Sequence, residues 1–268
     1  AGKTAARSFQ VQHDRTVGAW TLPPRHAMRS SLLLTAALGF ATVASAQGNE
    51  ARLDQVGLTN KGKVSQWAGS TAALTQSSVA GDGVVGEGNE ADIYQIGGHL
   101  VATQAGDRNA ILVLQFGSSA DLGQTGTAND IALGQASHST AYARQEGERN
   151  EAYWVELSGS SSRLTQTGDG NRFVAVQSDS DATVEQDGDD NRVLLAMRDG
   201  GAADVLQKGA HNVLKGLGWD PIATVKHGSH LTLSQHGSFS TASVDMFNGS
   251  RASITQEGDY STATVTHH

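Results

Sequence analysis

Polar and apolar residues alternate in short segments along most of the chain. In QTGDGNRFVAVQ, residues 166–177, every second position from Asn171 onward gives Asn171, Phe173, Ala175 and Gln177. Alternate residues of an extended strand share one face, so the pattern predicts a strand whose inward face carries two apolar side chains between two amides. A buried amide without a partner is unfavourable by a few kcal/mol, so these amides need a regular source of partners.

The segment belongs to a repeat of the form Q-x-G-x-x-N. Seven complete copies begin at Gln55, Gln104, Gln124, Gln145, Gln166, Gln186 and Gln207. Three degraded copies begin at Val84, Gln235 and Gln256, and the last two carry Ser240 and Ser261 in place of Asn. From residue 104 to residue 207 the copies follow one another at intervals of 20 or 21 residues. A fixed period of this length indicates a solenoid in which each period forms one turn.

Each period divides into two alternating halves joined by turn segments. The first half runs from Asn to a second Gln, as from Asn109 to Gln115, and the second half ends at the next copy, as in ADLGQ at residues 120–124. Residues out of phase, such as Glu90 and Arg172, are polar and are expected to face solvent. We therefore predict an all-β fold, a cross-β-like β-solenoid of about ten rungs with two short strands per rung.

Stacking explains the amides. Rungs of a solenoid lie about 4.7–4.8 Å apart, so equivalent residues lie directly above one another. Each amide can then donate to and accept from the amides of neighbouring rungs, as in the ladders of cross-β structures. The predicted ladder residues are Gln55, Asn60, Gln66, Asn89, Gln95, Gln104, Asn109, Gln115, Gln124, Asn129, Gln135, Gln145, Asn150, Gln166, Asn171, Gln177, Gln186, Asn191, Gln207, Asn212, Gln235 and Gln256. The predicted turn glycines are Gly57, Gly86, Gly106, Gly126, Gly147, Gly168, Gly188, Gly209, Gly237 and Gly258.

The repeat is irregular in two places. Val84 follows Gln55 by 29 residues and Gln235 follows Gln207 by 28, whereas the regular interval is 20 or 21. We expect a bulge, an extra strand or a loop within residues 67–83 and 213–234, the second of which contains Pro221, a residue that cannot donate to a strand ladder. The second Gln of the period is replaced in three rungs, by Glu156, Met197 and Gly218.

The N-terminal region contains a targeting signal. MRSSLLLTAALGFATVASAQ begins at Met28, with Arg29 before an apolar run and with Ala44-Ser45-Ala46 as a cleavage site. Residues 28–46 are therefore predicted to be a secretory signal peptide, and the apolar run is too short to span a membrane. Residues 1–27 are interpreted as an upstream artefact of translation or annotation, and residues 47–268 as the mature solenoid.

Composition narrows the choice of partners. There is no Cys, which excludes disulfides and Cys-ligated metals, and only 5% of residues are aromatic, which indicates a thin core. By the alternation, Trp154 and Phe173 are expected to face inward, and Tyr94 and Tyr153 outward.

The mature chain is strongly acidic. Five of 19 basic and one of 27 acidic residues lie in residues 1–46, so the remainder has a formal charge of −12. This charge disfavours nucleic acid and anionic membranes as partners and favours solubility before assembly.

Motifs for catalysis or cofactor binding are incomplete. Residues 81–86 spell G-x-G-x-x-G, but no helical pattern follows, as a dinucleotide site requires. The acidic segment 179–191 lacks the repeat typical of calcium-binding β-rolls, and His227, His230 and His236 lack metal-site spacing. There is no G-x-S-x-G. We predict no catalytic residues, no metal and no cofactor, and hence a protein that is not an enzyme.

The repeat resembles the curlin repeat, S-x5-Q-x-G-x-x-N-x-A-x3-Q. The segments QAGDRNAILVLQ, QTGTANDIALGQ, EGNEADIYQIG and QEGERNEAYWVE are similar to it, and the resemblance covers roughly residues 49–268. It implies a secreted subunit that polymerises into extracellular amyloid fibres of the biofilm matrix and mediates adhesion at the bacterial surface. It also implies a nucleator, chaperones and an outer-membrane export pore as partners, besides other copies of the chain.

The pattern agrees with self-assembly, because both ends of such a solenoid expose unpaired backbone and no polar capping segment is evident. We therefore expect a fibre subunit. Two alternatives stay open. One is a nucleator or surface anchor of the same family, and the other is a monomeric secreted β-solenoid that acts as an adhesin or on polysaccharide.

Overall fold

The computed structural model describes residues 40–44, 48–57, 59–78, 88–156, 159, 161–176, 178, 181–198, 202–215 and 223–267. Within these residues the chain forms strands and turns, and no helix occurs. The strands are β1 (Phe40–Ala44), β2 (Glu50–Val56), β3 (Lys61–Trp67), β4 (Thr71–Ser77), β5 (Glu90–Asp107), β6 (Ala110–Thr127), β7 (Asp130–Ala136), β8 (Thr140–Glu148), β9 (Glu151–Glu156), β10 (Ser161–Thr167), β11 (Arg172–Val174), β12 (Asp181–Asp187), β13 (Arg192–Arg198), β14 (Ala202–Lys208), β15 (Val213–Lys215), β16 (Ala223–Lys226), β17 (His230–His236), β18 (Thr241–Met246), β19 (Arg251–Glu257) and β20 (Thr262–His267).

The strands form two parallel, in-register stacks. Stack A contains β2, β4, the second halves of β5 and β6, then β8, β10, β12, β14, β17 and β19. Stack B contains β1, β3, the first halves of β5 and β6, then β7, β9, β11, β13, β15 with β16, β18 and β20. The prediction of an all-β solenoid is confirmed, with about nine turns.

The core is a narrow layer between the two stacks. Most inward residues of the strands are buried and most outward ones are not, as the alternating exposure along β2 and β12 shows. Trp154 and Phe173 point inward, and their rings meet edge to face with centroids 5.5 Å apart. In the turn that carries Trp154, the inward apolar positions of β8 are both alanine, Ala141 and Ala143. A large side chain on one strand is thus matched by small ones on the facing strand, which keeps the layer closely packed.

The first irregular region differs from the prediction. Gln76 lies in register between Gln55 and Gln104, so the second copy of the repeat begins at Gln76 and not at Val84. Twelve residues separate Gln76 from Asn89, where four separate Gln104 from Asn109. The eight additional residues lie in the sequence between β4 and β5, and the register of both strands with their neighbours is kept. Val84 and Gly86 themselves lie outside the described residues.

The second irregular region interrupts a strand of stack B. β13 pairs with two strands, because Val193 aligns with Leu214 of β15 and Leu195 aligns with Ala223 of β16. Eight residues lie between Leu214 and Ala223, where one lies between Val193 and Leu195, and this accounts for the 28-residue interval. An extra strand was among the expected outcomes here.

Val225 of β16 aligns with Met197. Val225 therefore takes the position that the sequence pattern assigned to Gly218, which lies outside the described residues.

Candidate functional site: amide ladders and open ends

A continuous glutamine ladder runs through stack A. Each Nε2 donates to the Oε1 of the next glutamine, and nine such hydrogen bonds of 2.6–3.0 Å join ten residues. The members are Gln55, Gln76, Gln104, Gln124, Gln145, Gln166, Gln186, Gln207, Gln235 and Gln256. Every bond has the same donor-to-acceptor sense along the axis, so the ladder is polar.

From Gln76 to Gln256, each amide also donates its second N–H to a backbone carbonyl. Gln104 Nε2 donates to the carbonyl oxygen of Glu90 at 3.1 Å, and Gln166 Nε2 to that of Glu151 at the same distance. The side chains are buried, with Gln55 at one end the most exposed at 8%. A buried amide is tolerated here because each polar atom inside the ladder has a partner.

A shorter glutamine ladder lies in stack B. Gln66, Gln95, Gln115 and Gln135 are joined by Nε2-to-Oε1 bonds of 3.1, 2.8 and 2.7 Å. Glu156 follows Gln135 in register. From β13 onward the column becomes Met197, Val225, Met246 and His267. Gln177 lies outside the described residues.

The asparagines bind backbone more than one another. Asn109 Oδ1 accepts the backbone N–H of Asn129 at 3.1 Å, and Asn109 Nδ2 donates to the carbonyl oxygen of Gly126 at 3.0 Å. Eight Oδ1-to-N–H bonds of this kind link the column. Its members are Asn60, Asn89, Asn109, Asn129, Asn150, Asn171, Asn191, Asn212 and Ser240. The asparagines therefore link the tight turn of each rung to that of the next rung, whereas the glutamines link the strands.

The turn glycines are constrained in two ways. Gly147 has φ of 120°, in the region that favours glycine, and a Cβ atom there would collide with the carbonyl oxygen of Gly168 one turn further. The same close approach recurs at Gly106, Gly126, Gly188 and Gly209, and Gly57 meets Ser78 in the same manner. The residue before each Asn or Ser also adopts positive φ in most turns, as at Arg108, Ala128, Arg149, His211 and Tyr260.

Two sets of ladder residues were missed from the sequence. Gln76 had a signal, because residues 72–76, AALTQ, have the same order of small, apolar and amide residues as residues 120–124. The other set is a column of buried serines at the opposite turn, Ser70, Ser118, Ser139, Ser229 and Ser250. They lie six residues before the stack A glutamine, at the Ser that begins the curlin-like motif S-x5-Q, but were not among the predicted ladder residues. Ser70 Oγ donates to the carbonyl oxygen of Trp67 at 2.6 Å and so closes its turn.

The two ends of the solenoid differ in hydrogen-bonding state. Gln55 Oε1 and Gln66 Oε1, at the N-terminal end, are buried and have no partner among the described residues. Gln256, at the C-terminal end, donates to the carbonyl oxygen of Thr241 but to no further glutamine of the described chain. Buried acceptors without partners are rare and unfavourable by about 1–3 kcal/mol each. The ends therefore present an unused acceptor and a complementary donor.

The other candidate groups have local partners. In the acidic segment, Asp189 Oδ1 accepts the backbone N–H of Asp169 at 3.0 Å, and His230 lies 3.7 Å from Asp204. Across the residues that the structure describes, no group of three or more His, Cys, Asp or Glu is placed to hold a metal ion. The G-x-G-x-x-G segment, residues 81–86, lies outside them.

Three side chains on the outward side of stack B have a pKa above the ordinary value of their group. Burial raises the pKa of the Asp130 carboxyl, and the charge of Glu151 raises it further. Burial likewise raises the pKa of Tyr153. A hydrogen bond to the Tyr94 hydroxyl raises the pKa of Lys63. Asp130 and Tyr153 lie on neighbouring strands beside Glu151, whereas Lys63 lies apart from them on β3.

Comparison with models of known protein families finds no match, and comparison with curated proteins finds no significant one. Within the described part of the chain, no helix is long and apolar enough to cross a membrane.

Proposed function

We propose that this protein is a secreted structural subunit that joins copies of itself end to end into an extracellular fibre of curli type. The observation that carries the proposal is the polarity of the stack A ladder. One end offers the buried, unpartnered Gln55 Oε1, and the other offers Gln256 Nε2. A second copy that continues the solenoid brings these two atoms together and extends the ladder without interruption.

The other residues of β2 and β19 are also compatible with this end-to-end contact. If Gln256 aligns with Gln55, then β19 aligns with β2 along its whole length, and inward Ile254 lies over Leu53. On the outward side, Arg251 then lies beside Glu50, a pair of opposite charges. Among the described strands, both are edges of stack A, and an open strand edge is a template for pairing with another chain.

In stack B, the end-to-end joint can form only after the predicted signal peptide, residues 28–46, is removed. β1 pairs with β3 and so occupies the edge that β20 of a second copy needs. β1 lies within the segment predicted to be the signal peptide. Its cleavage leaves β3 open beside β2, so that both stacks of the mature chain can continue into the next copy. The full-length precursor is accordingly expected to grow more slowly than the mature chain.

The curlin-like repeat extends the proposal to location and partners. A signal peptide, absence of Cys and an acidic mature chain suit export as an unfolded, soluble chain. A dedicated nucleator, chaperones and an outer-membrane pore at the bacterial surface belong to the proposal through the same resemblance, as does a role in biofilm matrix and adhesion.

Seeded growth tests the proposal. Residues 47–268, diluted from denaturant, should give thioflavin-positive filaments with a reflection at about 4.7–4.8 Å, and preformed fragments should abolish the lag. Ile254→Lys places a charge on the inward side of the joint and should stop growth, whereas the outward control Thr255→Lys, which would lie beside Asp54 of the next copy, should not. A soluble monomer that never responds to seeds contradicts the proposal, as does unchanged growth of the Ile254→Lys variant.

A further inference from the structure

The outward side of stack B carries an unusual number of exposed apolar residues. Seven large ones are between 41% and 51% exposed: Trp67, Ile96, Leu112, Leu114, Phe116, Val155 and Val176. We call this set the apolar face. Soluble proteins rarely leave such a contiguous apolar area open unless it is a contact surface. The outward side of stack A differs, since it carries Arg52, Asp54, Arg144, Glu185 and Lys208 among its residues.

Neighbouring strands of the apolar face differ in the size of their outward side chains. β6 presents Leu112, Leu114 and Phe116, and next to it β7 presents only Ala132, Gly134 and Ala136 at the paired positions. β9 then presents Tyr153 and Val155 on the far side of β7. A row of small side chains therefore forms a furrow, one strand wide, between two ridges of large apolar side chains.

We propose that the apolar face is a lateral contact surface that pairs with the same face of a second copy, so that the fibre consists of paired solenoids. The proposal rests on the end-to-end fibre proposed above. The ridge of β6 and the furrow of β7 lie on adjacent strands, so a ridge of one copy can enter the furrow of the other. Interdigitation of this kind forms the dry interfaces of cross-β assemblies.

The charges around the apolar face favour a second copy as the partner. The described outward side chains of stack B from β3 to β13 include four basic and four acidic ones, although the whole chain has a formal charge of −8. The residues are Lys61, Lys63, Arg172, Arg192, Glu90, Asp92, Asp130 and Glu151. Two like faces therefore approach without net repulsion. Most of these charges lie at the first outward position of their strand, so they border the apolar face along one edge.

The size of the apolar face sets the conditions for pairing. Six strands, from β3 to β11, at about 4.8 Å and six to seven residues at about 3.3 Å give roughly 600 Å² per copy. A stable interface between two proteins buries about 800 Å² on each partner. Two free copies should therefore pair weakly, whereas two stacks of joined copies make many such contacts at once and gain by avidity. We expect lateral pairing in the fibre and not between free subunits.

Mass per unit length of the filaments, measured by scanning transmission electron microscopy, tests the proposal. Wild-type filaments should have twice the mass per length of one solenoid. The variant Leu112→Thr/Leu114→Thr should halve it without slowing seeded elongation, because threonine suits a strand and the end strands are unchanged. The matched control Val101→Thr/Leu206→Thr alters two outward residues of stack A and should keep the wild-type value.

Wild-type filaments with the mass per length of one solenoid overturn the lateral contact and leave the end-to-end joint standing. A Leu112→Thr/Leu114→Thr variant that stays paired overturns it as well and assigns the contact to another face. A wild-type chain that forms no filaments overturns the proposed function itself, so the two failures are distinguishable.

Discussion

At the scale of single residues, the turn glycines show how stacking restricts the sequence. A glycine is needed at Gly147 both for its positive φ and because the next turn passes too closely for a Cβ atom. Gly258 shares the positive φ, at 86°, but lies in the last turn with open space around it. The two positions therefore separate the effect of backbone conformation from the effect of the neighbouring turn.

We expect Gly147→Ala to lower the free energy of unfolding more than Gly258→Ala. The backbone conformation alone is unfavourable by about 1–3 kcal/mol for a residue with a Cβ atom, and only Gly147 adds a collision with backbone. Urea unfolding of the monomer, below the concentration at which filaments form, measures the difference. Equal losses at the two positions would mean that the close approach between turns does not matter.

A second residue-scale prediction concerns Asp130. Burial and the neighbouring Glu151 raise the pKa of its carboxyl, so the folded chain holds this proton to higher pH than the unfolded chain. Stability due to this group is therefore lost as pH rises from below the ordinary carboxyl pKa to above the raised one. At neutral pH the charged Asp130 destabilises the fold.

Asp130→Asn should accordingly be more stable than the wild type at pH 7, and the difference should shrink as the pH falls through the carboxyl range. Thermal unfolding of both proteins across that range measures it. A difference that is independent of pH, or a destabilised variant at pH 7, would show that the effect comes from something other than the carboxyl charge.

At the scale of strands, the glutamine ladder joins each strand of stack A to the next. Gln166 accepts from Gln145 and donates to Gln186, each at 2.8 Å, and donates also to the carbonyl oxygen of Glu151. Met is similar in size but has no N–H to donate. Gln166→Met therefore leaves buried polar groups on both neighbouring strands without partners.

Each buried group left without a partner lowers stability by about 1–3 kcal/mol, so we expect Gln166→Met to destabilise the monomer by at least about 2 kcal/mol. Gln256→Met is the control, because Gln256 has a ladder neighbour on one side only and should lose less. Chemical unfolding of the two variants compares them. A neutral Gln166→Met would falsify the view that the ladder supports the stack.

Sequence reasoning recovers the elements of this fold because the period is local and repeated. Alternation within seven residues marks the strands, and the 20–21 residue period aligns them. Where residues are inserted, as between Gln76 and Asn89 or between Leu214 and Ala223, the motif alone cannot show which residue keeps the register. That choice depends on pairing across the stack, which placed Gln76 and Val225 where the pattern indicated Val84 and Gly218. The apolar face was missed because residues 111–114 are all apolar. The sequence alone does not show that Ile111 and Val113 face the core and that Leu112 and Leu114 face outward.

At the scale of the whole molecule, the proposed fibre depends on the two ends of the solenoid. A solenoid of about nine turns with a polar ladder has two different ends, and in the proposed fibre these ends would set the direction and the register of growth. The register is specific: Arg52 of one copy should lie beside Ser253 of the next. Within one copy these residues are nine ladder steps apart, roughly 43 Å at about 4.8 Å per step.

Cysteine cross-linking in the filament tests this joint most directly. The chain has no Cys, so Arg52→Cys/Ser253→Cys introduces the only two thiols, on neighbouring parallel strands of two copies at a separation that suits a disulfide. Mild oxidation of the filaments should give a ladder of covalent multimers, while either single variant, and Arg52→Cys/Thr232→Cys with its second thiol one turn inside the end, should give none. Filaments of the Arg52→Cys/Ser253→Cys variant that stay monomeric after oxidation, or that link equally well in the displaced pair, would contradict the proposed joint.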